Sequence, residues 1–474
     1  MKKLIYLTFI VFILGACTDN FADLNVDTKK PTEVPAGSLF ANATVELMDL
    51  MSSTNVNINN LRLWAQYWAQ TTYPDESNYE LVERNVNGRT WNTIYATVIR
   101  DISEARPFIE EDPFLSDGQK ANQLAMCNLM EIVAYSILVD IFGDVPYTQA
   151  LQEGVFLPVY DNDADIYDDL ITRLDALIPN LGGDNGMGDY DVIYNGDGDK
   201  WKKFANSFKL RMAIRIADID NAKAKQMAES AVSSGVFTSS EDDFTIKYES
   251  NPPNTNPVWE ELVQSGRSDF VAANTLVDYM NDLEDPRRSV YFSGPMDSLG
   301  NPKGGIYGSN NSFSNNSHAG LVLEDPSFPG ELMSYTEVEF LLADAVERGY
   351  SVGGTAEEHY NAGVTSSFND WGVSGASAYL SMPDVAYSSA PGTWREKIAL
   401  QKWIALYNRG FEGWTTWRIY DAPEMNIAAG AGTLPPLRYT YPVSEFSLNQ
   451  ANVNAAATAI GGDNLMTPVF WDVQ

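Results

Sequence analysis

Cys17 is the clearest candidate for covalent modification in the chain, because it follows a short apolar segment directly. Lys2 and Lys3 precede that segment, which is shorter than the ~20 residues that a membrane-spanning helix requires. A basic N-terminus, a short apolar segment and small residues before the cleavage site are typical of a secretory signal peptide. In LGAC (14–17) the cysteine sulfur is a candidate for acylation, and two or more acyl chains give stable anchoring. We predict a signal peptide at 1–16 and lipidation of Cys17; an ordinary secretory signal is the alternative.

Catalytic and metal-binding patterns are few in this chain. Its two histidines are His318, in an Asn/Ser/Gly-rich loop, and His359, and neither has a histidine partner at metal-ligand spacing. No Gly-x-Ser-x-Gly elbow, phosphate-binding loop or dinucleotide fingerprint occurs. With 64 acidic residues, carboxylate pairs arise by chance and identify no glycosidase site. We predict no catalytic residues, no metal site and no cofactor.

Calcium binding is an alternative for two acidic segments, DNDAD at 161–165 and NGDGDK at 195–200. Calcium loops of the EF-hand type place carboxylates at alternate positions and close with a glutamate, which neither segment reaches. Acidic and amide side chains also cap the N-termini of helices. We favour helix caps or solvated turns over calcium at both segments.

The composition limits the class of protein and its partners. The chain has 474 residues, 44% of them hydrophobic, which is enough for two or three ordinary domains or one large one. Its formal net charge of −33 repels phosphate backbones, so we exclude nucleic acid as a partner. Cys127 lies within an apolar helical pattern, which favours a buried free thiol. The many aromatic residues, mixed with Asn and Gly, suit sugar recognition, although we expect most of them in the core.

Apolar residues at helical spacing indicate a mostly α-helical protein. The clearest segments are 123–143, 201–218, 335–349 and 394–410. Gly143 and Gly410 are predicted to end the first and the last of these helices. An earlier helix is predicted to begin near Ser38, after a polar tether at 17–37. The helices recur as loosely related pairs without a clean period, so the pattern leaves hairpin packing open.

Between residues 250 and 330 the helical pattern disappears, except around 270–280. Asn, Pro, Gly and Ser fill this region, in runs such as NPPNTNP (251–257) and SNNSFSNNSHAG (309–320). It also contains several Tyr and Phe residues, whereas disordered segments are poor in aromatics. Irregular segments of this length in a compact body are usually functional or disordered. We therefore predict an ordered, loop-rich recognition region at 250–330.

Several motifs occur in order along the chain and carry a family resemblance. They are LGAC at 14–17, SILVDIFGDVPYTQAL at 136–151, DGDKWKKFANSFKLRMAIRI at 197–216, QKWIALYNRGFEGWTTWRIYDAPE at 401–424, RYTYPVSEFSLNQANV at 438–453 and GGDNLMTPVFWD at 461–472. Together they resemble the SusD/RagB family, the nutrient-binding outer-membrane lipoproteins of Bacteroidetes. The resemblance covers nearly the whole mature chain. It implies a SusD-like fold of tetratricopeptide-like helical hairpins over 38–474.

The resemblance also implies a function and partners. Proteins of this family lie as a lid on a SusC-like, TonB-dependent transporter and hand oligosaccharides to it. The expectation for this chain is non-catalytic binding of polysaccharide or oligosaccharide by a lipid-anchored protein of the outer membrane, facing the cell exterior. Two alternatives stay open. One is a binder of peptide or another nutrient in the same transport role, and the other is a helical secreted glycosidase or lyase.

The ligand-contacting residues are expected where the chain is both irregular and aromatic. A sugar ring stacks its C–H face on an aromatic plane, while its hydroxyls need amides and carboxylates. Trp64, Trp68 and Trp403 are predicted to lie in the core instead, since they fall on helical patterns. The loop after Trp68 and the stretch 259–313 supply the candidates. These are Tyr73, Asp75, Asn78, Trp259, Arg267, Asp269, Tyr291, Tyr307 and Phe313.

Overall fold

Helices account for most of the fold in a computed structural model that describes residues 34–183 and 186–473. The predicted signal peptide, Cys17 and nearly all of the predicted tether lie outside the described residues. The helices are α1 Ala36–Ser52, α2 Leu61–Trp64, α3 Val86–Thr93, α4 Arg100–Glu111, α5 Asp117–Phe142, α6 Asp163–Leu177, α7 Gly198–Arg215, α8 Asn221–Ser234, α9 Pro257–Trp259, α10 Asn274–Asp282, α11 Arg288–Tyr291, α12 Tyr335–Glu347, α13 Ala356–Asp370, α14 Ala376–Tyr379, α15 Trp394–Ala405, α16 Gly410–Tyr420, α17 Val443–Leu448 and α18 Gln450–Ala459. Two π-helical segments, Ile94–Ile99 and Glu260–Gln264, extend α3 and α9.

The long helix α5 forms the centre of the helical body. Ser116 begins it with a capping box, and Gly143 ends it with a φ of +78°, a conformation that glycine adopts without steric cost. Within the described residues, α5 alone has the length and apolar composition of a membrane span, but most of its apolar window is buried in the protein. Cys127 is buried in α5, and burial raises the pKa of its thiol to about 12. The predictions for this helix and this thiol are confirmed.

The major helices pack as neighbouring pairs. The pairs are α1 with α4, α5 with α6, α7 with α8, and α12 with α13. Asn162 caps α6 and Asp197 caps α7, each accepting hydrogen bonds from backbone N–H groups of the first turn. The two acidic segments therefore supply helix caps. The sequence predicted that Gly410 ends α15, and this prediction is wrong. α15 ends at Ala405, a turn follows, and Gly410 begins α16.

Buried ion pairs cross the interior of the helical body. Arg211 donates two hydrogen bonds of 2.7 Å to Glu337, and Arg409 donates a third of 2.6 Å. Although burial opposes ionisation, Arg215 and Arg211 hold the pKa of Glu412 below its usual range. These charged side chains fix how the helices meet, because each buried charge requires its partner.

Within residues 34–183 and 186–473, six short strands form three two-stranded antiparallel ribbons. The strands are β1 Trp68–Gln70, β2 Phe244–Ile246, β3 Phe270–Ala272, β4 Phe292–Ser293, β5 His318–Ala319 and β6 Gly330–Met333. β1 pairs with β3, β2 with β6, and β4 with β5. The 250–330 region is ordered, with strands and short helices joined by loops. Its ribbon to β1 attaches the loops to the core. Trp64 and Trp68 are fully buried as predicted, but Trp68 lies in strand β1 and not on a helix, because α2 ends at Trp64.

Candidate functional site

The end of the β1–β3 ribbon brings together two of the predicted stretches. Gln70 of β1 pairs with Phe270 of β3, so the loop that leaves β1 starts beside the loop that enters β3. Thr71 continues the contact, because its N–H donates to Asp269 O at 2.9 Å and its hydroxyl to Ser268 O at 2.7 Å. Tyr73 and the Arg267–Asp269 segment therefore lie at the same exposed end of the ribbon.

A third loop, residues 306–313, is attached to the same strand end. The side-chain amide of Asn311 donates to Gln70 O at 3.0 Å and to Ile306 O at 3.0 Å. The loop ends at Phe313, whose ring stacks on the imidazole of His318 with centroids 3.6 Å apart and planes 13° apart. His318 Nε2 lies 2.7 Å from the carbonyl oxygen of Phe313 and donates to it. One face of the Phe313 ring therefore packs against His318, while the residue is 36% exposed and its ring reaches solvent.

Tyr73 is the most exposed of the candidate aromatics, with 66% of its surface accessible. Its φ of +54° is uncommon for a residue with a side chain and carries a conformational cost. The hydrogen bond to Asp269 raises the pKa of Arg267, and the charges of Asp269, Glu261 and Tyr73 add to this effect. A strained backbone at an exposed aromatic is a common feature of ligand-binding loops.

Arg267 and Asp269 form an exposed ion pair beside Tyr73. The guanidinium Nη2 donates to Asp269 Oδ1 at 3.1 Å, and Nε donates to Oδ2. Burial raises the pKa of Glu261, the hydrogen bond from Asn55 lowers it, and Asp269 raises it while Arg267 lowers it. The side chain of Asn55 donates to Glu261 at 2.5 Å, which holds the carboxylate in place.

Trp259 stands two residues before Glu261 on the same short helical segment. Asn256 begins that segment by accepting from Val258 N–H at 2.7 Å, and its own amide donates to Phe328 O at 2.6 Å. The indole of Trp259 is half-buried. A cavity of about 340 Å³ adjoins the segment and is lined partly by carboxylates, of which Asp49 has its pKa raised to about 6 by burial.

Asn78 has a structural role that the sequence did not indicate. Its amide group donates to Pro74 O at 2.7 Å and to Gly308 O at 2.9 Å, and its carbonyl oxygen accepts from Gly430 N–H at 2.9 Å and Ala431 N–H at 2.8 Å. These bonds engage both ends of the side chain and connect three loops. Asp75 is exposed on the same loop.

Tyr291 and Tyr307 lie in the core, which corrects the expectation that they expose stacking surfaces. Tyr291 has no accessible surface; its ring stacks on Tyr407 with centroids 4.4 Å apart, and its hydroxyl donates to Ile404 O at 3.1 Å. Tyr307 is 1% exposed and packs near Tyr79. The loop-rich region wraps over the helical body, so aromatic residues in irregular segments fill the gap between them.

The sequence did not predict that residues 427–434 would form a loop with an exposed apolar side chain next to the 306–313 loop. Ile306 and Ile427 are each 62% exposed, and Ala429 N–H donates to Tyr307 O at 3.1 Å, which joins their two loops. The available signal was the NIAAGAGTLPP stretch (426–436), which lacks a helical pattern. Among the described residues, no group of three or more His, Cys, Asp or Glu side chains is arranged to hold a metal ion.

The helical pairs and the loop-built surface with exposed aromatics define a helical protein whose ribbon end is open to solvent. The SusD-like family, described as "Starch-binding associating with outer membrane", matches residues 28–442. The chain belongs to this family, which confirms the resemblance and the SusD-like fold. Comparison with curated proteins finds no match.

Solved structures of SusD homologues have the same fold over 93% of this chain. A chitin-binding SusD homologue from Flavobacterium johnsoniae is 26% identical, with a TM-score of 0.79 and 99% of its own chain covered. A SusD-like protein from Bacteroides thetaiotaomicron is 26% identical, with a TM-score of 0.78 and 99% covered. A SusD homologue from Bacteroides uniformis is 25% identical, with a TM-score of 0.76 and 100% covered.

Proposed function

We propose that this protein binds polysaccharide or oligosaccharide, without cleaving it, at the exposed end of the β1–β3 ribbon. The observation that carries the proposal is the convergence of exposed aromatic rings and polar side chains on that end, in a chain of the SusD-like family. Tyr73 and Phe313 supply the stacking planes at this end, and the half-buried Trp259 is a third candidate on the segment that contains Glu261. Arg267, Asp269 and Asp75 supply hydrogen-bonding groups for sugar hydroxyls.

Chitin-type and starch-type oligosaccharides are the first ligands to test. One relative at 26% identity is a chitin-binding protein, and the family description names starch. Isothermal titration with chitohexaose and maltohexaose compares β-linked N-acetylglucosamine with α-linked glucose at equal length. A peptide mixture in the same titration addresses the alternative of a peptide binder, which predicts heat from peptides and none from either sugar.

The cellular role we propose is delivery of the bound glycan to a SusC-like, TonB-dependent transporter of the outer membrane. The family is associated with that membrane, and Cys17 supplies the expected lipid anchor on the cell surface. The protein should co-purify with a large outer-membrane barrel protein after mild detergent extraction. Cys17→Ala should abolish labelling by an alkyne fatty acid. Isolation only as a free monomer, or persistent labelling of the variant, would contradict these two proposals separately.

Chromatography of the ligand separates a binder from an enzyme. A retained oligosaccharide should elute with its original chain length after prolonged incubation with purified protein. Shortening that survives repurification and disappears with one carboxylate substitution would favour the glycosidase or lyase alternative.

A further inference from the structure

The ion pair between Arg267 and Asp269 is exposed, yet it is closed. The side chain of Arg267 is 57% accessible and that of Asp269 is 25% accessible. Two of the guanidinium N–H groups donate to the two carboxylate oxygens. Planar, bidentate donation of this kind is the geometry that arginine uses to recognise carboxylate and sulfate groups of ligands. Asp269 therefore occupies the position that an anionic ligand group would take.

The backbone fixes Asp269 in that position. Its carbonyl oxygen accepts from Thr71 N–H, and the next residue, Phe270, is buried in β3. Arg267 follows a turn in which Gly266 has a φ of +67°, and its N–H donates to Ser265 Oγ at 3.1 Å. The carboxylate is thus held by a strand and the guanidinium by a turn, so the pair is built into the end of the ribbon.

The charges around the pair are negative. Glu261 precedes the pair by six residues and exchanges charge effects with it, Asp75 is exposed on the loop that leaves β1, and the whole chain has a formal charge of −33. Asp269 raises the pKa of Arg267, as expected for a guanidinium that already has its counter-ion. An anionic sugar approaching this surface meets like charges and a guanidinium whose best donors are occupied.

We propose that Asp269 is a specificity-determining residue, which restricts this surface to uncharged glycans by keeping Arg267 in a closed ion pair. The inference rests on the proposed function, because it concerns the ligand class of the same surface. It predicts that removing one negative charge, with the side-chain shape kept, turns Arg267 into a receptor for uronic-acid or sulfated sugars.

Affinity electrophoresis with polygalacturonate tests the proposal, and fully methyl-esterified polygalacturonate serves as the uncharged matched polymer. At physiological salt, screening leaves mainly short-range contacts, so neither polymer should retard the wild-type protein in the gel. Asp269→Asn should bind the acidic polymer with a dissociation constant lower by about fivefold or more, as one charge-assisted contact allows. The ester should give no such gain. The double variant with Arg267→Ala should lose the gain, and thermal melts should confirm that all three proteins are folded.

Several results would overturn the proposal. They are an unchanged affinity of Asp269→Asn for the acidic polymer, a gain that persists without Arg267, and wild-type protein that already binds the acidic polymer. Titration of wild type with chitohexaose and maltohexaose tests the proposed function by itself. A gain in Asp269→Asn without any neutral-sugar binding by wild type would support the role of Asp269 and count against the proposed function.

Discussion

The helical body and the end of the β1–β3 ribbon each contain an arginine paired with an aspartate two residues away. The pair is buried in the body and accessible to solvent at the ribbon end. In the body, Arg287 and Asp285 are completely buried, and Arg287 also donates to Ser367 and Gln401 at 2.9 Å. At the ribbon end, Arg267 and Asp269 face solvent. The same functional groups thus serve packing in one region and remain accessible to a ligand in the other, and burial makes the difference.

The first prediction concerns the cost of breaking each pair. Asp285→Ala leaves a buried guanidinium without its counter-ion and should lower the free energy of unfolding by about 3–5 kcal/mol. Asp269→Ala should lower it by less than about 1 kcal/mol, because solvent replaces the exposed carboxylate. Urea unfolding of both variants, followed by circular dichroism, measures the difference. Equal costs would contradict the assignment of distinct roles to the two pairs.

Aromatic residues sharpen the same comparison. Trp403 is fully buried and its indole N–H donates to Ala65 O at 3.0 Å, so Trp403→Ala should cost about 3–5 kcal/mol of folding free energy. Tyr73→Ala should leave stability within about 0.5 kcal/mol. It should weaken glycan binding by about 1–3 kcal/mol, by analogy with base stacking on aromatics. Thermal melts and calorimetric titrations of the two variants test both effects. A destabilised Tyr73 variant with unchanged affinity would place the site elsewhere.

The stack of His318 on Phe313 should matter for binding more than for folding. Removing the imidazole in His318→Ala frees the ring of Phe313 to rotate and should weaken glycan binding by about 0.5–1.5 kcal/mol, the value of an aromatic pair. His318→Phe keeps a flat ring against Phe313 and serves as the matched control, which should retain most of the affinity. Calorimetric titration distinguishes them. Equal affinity of the Ala variant and wild type would remove Phe313 from the ligand surface.

The sequence predicted the main helices better than it predicted the strand pairing that forms the candidate site. The helices α5, α7, α12 and α15 were predicted from local spacing, because one buried face imposes a period on the sequence. Gly410 was misassigned, because glycine is compatible with either end of a helix and the turn after Ala405 has no distinct signature. The pairing of β1 with β3 joins segments about 200 residues apart and leaves no local trace.

The site candidates illustrate the same limit. Tyr73, Arg267 and Phe313 could be selected from composition in irregular segments, and the structure places them at the surface. Tyr291 and Tyr307 satisfied the same criterion and are buried, since which face of a loop contacts the body depends on tertiary packing. The buried pair of Arg211 with Glu337 spans 126 residues and was likewise invisible to the sequence.

A pH-dependent effect on stability is expected from a buried carboxylate of the helical body. Burial, reinforced by Glu331, raises the pKa of Asp243 to about 9. Its side chain binds a proton in the folded state over a range where the unfolded chain, with a pKa of about 3.9, has released it. This group therefore makes stability fall as the pH rises from about 4 to 9.

Asp243→Asn should remove that dependence while keeping the acceptor for Tyr335 N–H. Relative to wild type, the variant should become progressively more stable as the pH rises from about 4.5 to about 8, because wild type alone loses the stabilising proton over this range. Melting temperatures of variant and wild type at the two pH values measure the change. A constant difference between variant and wild type across this range would contradict the assignment.

The most direct test of the central claim is a glycan array probed with the protein lacking residues 1–17. Wild type should bind a set of uncharged oligosaccharides, and the double variant Tyr73→Ala with Trp259→Ala should lose those signals while a cooperative thermal melt shows that it is folded. Retained glycan signals in the folded double variant would contradict the assignment of the ribbon end as the ligand surface. The absence of any glycan signal from wild type would contradict glycan binding itself.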